Sequence, residues 1–139
     1  MDPTISPELA RALRDSGLAW HPAAGDAFLI DKVEVDGDVF FLSDMTVEAH
    51  HFPTGTELGF NGTTEWALDS VPLDDALWLP HEHQLRGLLG AAFVSLAVGS
   101  TGPTVTATID GSTHTFDADA AADAYARALL ALLDSLAAD

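Results

Sequence analysis

Apolar positions first recur at helical spacing at Leu9 and Leu13, with Leu18 beyond them. Ser6 before Pro7 is a helix start, with serine as N-cap and proline in the first turn. Gly17 is a left-handed stop. A first helix is therefore predicted over residues 7–16, followed by a bend at Trp20-His21-Pro22 and a loop to Asp26. Alternation then replaces helical spacing. Residues 28–35 and 38–43 flank Asp36-Gly37, which predicts a hairpin with a two-residue turn. In that register Val33 and Val35 share the inward face with Phe40 and Leu42. Residues 45–52 and 56–60 predict two further strands around Pro53-Thr54-Gly55. Asn61-Gly62 marks a turn, and residues 63–68 read equally as a fifth strand or a single helical turn.

Residues 69–79 contain Val71, Leu73, Leu77, Trp78 and Leu79, and read as a loop lying on the protein body. Pro80 opens a second helix, with Leu85, Leu88 and Leu89 at helical spacing and Gly90 ending it. Residues 92–98 predict a strand and residues 99–103 a flexible link. Residues 104–109 and 112–116 flank Asp110-Gly111 as another two-residue hairpin. Asp117 is the expected cap of a long last helix over residues 118–136, with Tyr125, Leu129, Leu132 and Leu136 on one stripe. This order contains no βαβ alternation. It predicts an α+β fold: one antiparallel sheet of about six to eight strands in hairpins, packed by an N-terminal helix, a short middle helix and a long C-terminal helix.

At 139 residues, the chain is expected to form a single domain, 1–139. Apolar residues make up 47%, enough for a core despite a formal charge of −17. Only five Lys and Arg stand against 22 Asp and Glu, so neither a nucleic acid nor an anionic membrane is an expected partner. With no cysteine, disulfides and thiolate chemistry are excluded. The start, MDPTISPELA, has no basic and apolar leader pattern, and no stretch approaches a membrane span. A cytoplasmic location is expected.

Histidine is the usual acid–base group and metal ligand near neutral pH, and the chain has six: His21, His50, His51, His81, His83 and His114. Glu48 and His50 have strand spacing, so they fall on one face as two metal ligands or as a base and its orienter. His81 or His83, or Asp44, is the expected third member. His81-Glu82-His83 falls in the first turn of the second helix, where ligands two residues apart diverge and chelate poorly. His114 is expected opposite Ala107 on the inward face of its hairpin, as a core histidine. Trp20, Trp66 and Trp78 stand beside turns or acids; they are core anchors or, with His114, binding residues. Arg86 and Arg127 are expected to pair with nearby acids. Phosphate-loop, dinucleotide and nucleophile-elbow motifs do not occur, and neither a cofactor nor a resident metal is predicted.

Several strings carry a likeness: FLSDMTVE at 41–48, FNGTTEWAL at 60–68, LWLP at 77–80 followed by Gln84-Leu85, and the opening helix leading into Leu18-Ala19-Trp20-His21-Pro22. Together they resemble small acidic proteins of high-GC Gram-positive bacteria without an established function, some labelled pilus assembly protein CpaE. That label implies a localisation ATPase. The phosphate loop of such an ATPase is missing and the chain is shorter than its fold, so no ATPase residue carries over.

The leading expectation is a non-catalytic binding or adaptor module, with another protein as partner and a homodimer admitted. One alternative is a small metal-dependent or acid–base enzyme built on Glu48 and His50 with His81 or His83. A small-molecule carrier lined by Phe40, Trp66, Trp78 and Tyr125 is the other.

Overall fold

A computed structural model describes residues 5–30, 39–41, 47–52, 55–60, 70–72 and 75–137. The chain divides into two compact units, Met1–Ala19 with Pro80–Asp139, and Trp20–Leu79. The architecture is α+β with antiparallel pairing throughout. It differs from the expected single sheet: the described strands form three sheets of three strands each. Tight turns pair neighbours in sequence, but they do not specify which distant strand completes a sheet.

In the first unit, α1 (Pro7–Asp15) begins and ends as its sequence predicts. The Ser6 hydroxyl accepts from the Leu9 N–H, and Gly17 takes φ 104°. Helix α2 (Glu82–Leu89) is followed by a 3-10 turn and then strands β7 (Phe93–Gly99), β8 (Gly102–Ile109) and β9 (Ser112–Asp117). The segment expected as a flexible link is instead a tight connection, because Gly99 pairs with Gly102. Gly102 has φ 106°, and a Cβ there would come within 3.1 Å of the Ala118 carbonyl, so glycine lets the strand start this close. The Asp110-Gly111 turn forms as predicted, with positive φ at both residues, the signature of a type I′ turn.

Helix α3 (Ala121–Ala137) packs on β8, α1 and α2. Its buried residues are mostly alanine: Ala122, Ala124, Ala126 and Ala128, with Tyr125 and Leu129. Small side chains let one helix approach several neighbours closely. The predicted stripe fades along the helix: Leu132 is half-buried and Leu136 is exposed. Asp117 does not cap α3. It lies in β9, where its Oδ1 accepts from the Thr104 hydroxyl at 2.6 Å across the strand pair. Asp123, in the first turn of α3, accepts from the Ser6 N–H at 2.8 Å and so ties the start of α1 to α3.

In the second unit, β1 (Ala27–Ile30) is central between β2 (Val39–Phe41) and β6 (Ala76–Leu79). The pairing of β1 with β2 is antiparallel as expected, but Phe40 lies opposite Phe28 rather than Val33. The shift is odd, so it turns the other set of β1 side chains toward Phe40. The cross-strand ring pair of Phe28 and Phe40, with centroids 5.6 Å apart, favours this register. The Asp36-Gly37 turn lies outside the described residues. Strand β6 replaces the expected apolar loop; its four residues complete β1 through pairs such as Phe28 with Trp78. Strands β3 (Val47–Phe52), β4 (Gly55–Phe60) and β5 (Ser70–Pro72) form the remaining sheet. The segment left open between strand and helix, 63–68, is outside the described residues.

Candidate ligand cleft at the start of α2

Pro80 is buried and precedes α2 rather than opening it. His81 is the N-cap, with an extended backbone (φ −72°, ψ 160°), and its N–H donates to the Gln84 Oε1 at 2.8 Å. That bond satisfies the chain just outside the helix, as in one half of a capping box. The extended cap corrects the expectation that His81 and His83 diverge. Helical spacing does not apply across a residue outside the helix, and the two imidazoles lie nearly parallel with centroids 5.6 Å apart.

The two histidines line a cleft of about 470 Å³ with Glu82, Arg86 and Tyr125. Three of these five come from α2 and Tyr125 from α3. Among the described residues, Arg86 does not show the expected acid partner. Its guanidinium carbon lies 4.3 Å from the centre of the Phe93 ring, and its charge acts on the Tyr125 phenol. Phe93 and Tyr125 are themselves in ring contact at 5.7 Å. The cation thus lies over an aromatic face beside a phenol, and the ring contact limits its rotamers.

Burial raises the Tyr125 phenol above its ordinary value of 10.0. The Arg86 charge and hydrogen bond oppose that rise, and Glu82 adds to it. A raised value in the folded chain means that unfolding releases a proton near pH 10. Stability is therefore complete below the ordinary phenol range and falls as pH rises through the folded value. Tyr125 is the sole tyrosine, so tyrosinate absorbance followed against pH reads this group alone. The expected midpoint lies above that of the urea-unfolded chain; equal midpoints would contradict the burial.

Trp20 and Trp78 do come together: their rings stack at 6.4 Å, and Trp20 also meets Phe28 at 5.6 Å. The Trp20 Nε1–H donates to Asp26 Oδ2 at 2.9 Å, and the Ala23 N–H donates to the same oxygen at 3.0 Å. Asp26 is buried and so fixes the bend that carries Trp20. Among the described residues, the buried Trp78 Nε1 has no hydrogen-bond partner. Trp66 lies outside the described residues, as does Asp44. Glu48 and His50 occupy alternate positions of β3, opposite Gly59 and Glu57 of β4. They belong to the Trp20–Leu79 unit, whereas His81 and His83 belong to the other. Phe40 and Trp78 likewise belong to the Trp20–Leu79 unit and Tyr125 to the other.

His114 lies opposite Ala107 as the hairpin register predicts, yet it is exposed rather than in the core. Helix α3 packs on β8, where Val105, Ala107 and Ile109 are buried, and among the described residues β9 is an edge strand beside it. Facing inward at an edge is not burial. His21 is likewise exposed. Among the described residues, no three His, Asp or Glu side chains are grouped to hold a metal ion, and no helix is long and apolar enough to cross a membrane.

The gathering of Arg86 and Tyr125 with the histidine pair is the part that sequence reasoning missed. Its one signal was Arg86 standing a helical turn from Glu82 and His83, in a chain that has few cations. Compared with known proteins, the chain matches no family model, no curated protein and no solved structure.

Proposed function

We propose that this chain is a non-catalytic binding module of the adaptor kind, and that the cleft seats an anionic group, such as a carboxylate, presented by its partner. The supporting observation is Arg86, set over the Phe93 ring in a cleft it shares with Tyr125, His81 and His83. Guanidinium is the side chain best suited to a planar carboxylate, because its donors form a fork. The overall charge of −17 does not decide against an anion here. Charges more than about 8 Å away are largely screened at physiological ionic strength. A hydrogen bond to a charged group contributes about 1.5–3 kcal/mol at contact. Glu82 in the same lining offers an acceptor, so a ligand with a donor beside its anionic group satisfies both.

Calorimetric titration with small carboxylates tests this reading. Arg86→Gln removes the charge while keeping a shorter polar side chain. It is expected to weaken binding roughly 10- to 100-fold, the equivalent of one charge-assisted contact. Equal affinity in the two proteins would remove Arg86 from the seat.

An acid–base enzyme is the second reading, favoured by the two imidazoles sharing one cleft. It differs in its consequence: the bound ligand would be chemically changed, which mass spectrometry of the recovered ligand detects.

A further inference from the structure

We propose that β7 is the contact strand of a homodimer, formed when two copies pair edge to edge and antiparallel. In the sheet order β7-β8-β9, β7 bonds to β8 on one side and carries no second strand among the described residues. Edge strands are ordinarily guarded by lysine, proline or an inward charge. Phe93–Gly99 reads FVSLAVG and has none of these. Its one irregularity is a register shift between Phe93 and Ser95, at the start of the strand. Both of its valines are exposed, Val94 at 53% and Val98 at 74%.

Charge selects the occupant. Residues 87–109 contain no Asp, Glu, Lys or Arg, in a chain of formal charge −17. A basic partner would find no acid along this strand to pair with. A second copy repels this molecule elsewhere, but along this strand no like charges come into register. The strand is also self-complementary. An antiparallel pairing centred on Leu96 places Val94 of each copy opposite Val98 of the other, the reciprocal contact of a two-fold interface.

Sedimentation equilibrium on the full chain, from dilute to millimolar protein, tests the dimer. Wild type is expected to dimerise, and more tightly at high sodium chloride, because screening weakens the repulsion between two acidic copies. The double variant Val94→Lys, Val98→Lys sets lysines opposite one another and is expected to weaken the dimer about tenfold or more. Both side chains are exposed, and circular dichroism checks that the fold is kept. Leu136→Lys, at the exposed end of α3, is the control and should leave the dimer intact. Hydrogen exchange should show β7 amides that become protected as protein concentration rises. A wild type that stays monomeric at millimolar concentration and high salt overturns the proposal. So does a dimer that the double lysine variant leaves unchanged.

Discussion

Phe28→Ala is expected to destabilise the protein by about 3–5 kcal/mol, the range for removing a buried phenylalanine. Phe28 is fully buried on the central strand of its sheet. Its cross-strand neighbours are Phe40 on one side and Trp78 on the other. Its ring lies 5.6 Å from those of both Phe40 and Trp20. Alanine would therefore leave a cavity walled by aromatic rings that a four-residue strand cannot close by shifting, and poor relaxation places a substitution at the costly end of its range. The near-ultraviolet circular dichroism of the tryptophans should also fall, because Trp20 loses its ring contact with Phe28. A urea midpoint close to wild type would mean that these rings do not form a packed row.

Leu85→Ala is expected to cost about 2–5 kcal/mol and to remove ligand binding with it. Leu85 is fully buried on α2, one residue before Arg86, and α2 packs against α3, the helix that carries Tyr125. The cleft exists only while those two helices are held together. This outcome contrasts with Arg86→Gln, which should impair binding with little change in the unfolding midpoint, because Arg86 is exposed. Comparing the two variants separates loss of the seat from loss of the helix that carries it.

Local rules read from sequence succeeded where short-range chemistry decides the structure. Ser6-Pro7 starts α1, Gly17 stops it, and Asp110-Gly111 makes a two-residue turn with His114 opposite Ala107. They failed where a distant partner decides. The run Ala76–Leu79 has no alternation because it lies flat along a central strand, and four apolar residues before a proline are indistinguishable from a loop. The β1–β2 register followed an aromatic pair rather than the nearest Asp-Gly. Asp117 looked like a cap, but a strand partner, Thr104, holds its carboxylate. For the cleft, the histidine pair was legible but its geometry was not. One extended residue at the cap turned a diverging pair into a parallel one. Tyr125 and Arg86 meet only through the packing of α2 on α3, which no spacing along the chain encodes.

The most direct measurement is a nuclear magnetic resonance titration of the imidazoles with N-acetylglycine, a carboxylate beside an amide donor, in wild type and in Arg86→Gln. Binding in the cleft should move the His81 and His83 signals saturably, leave exposed His21 and His114 in place, and demand roughly 10- to 100-fold more ligand in the variant. Shifts spread evenly over the described histidines, or a wild type and variant that titrate alike, would contradict an anion seat at Arg86.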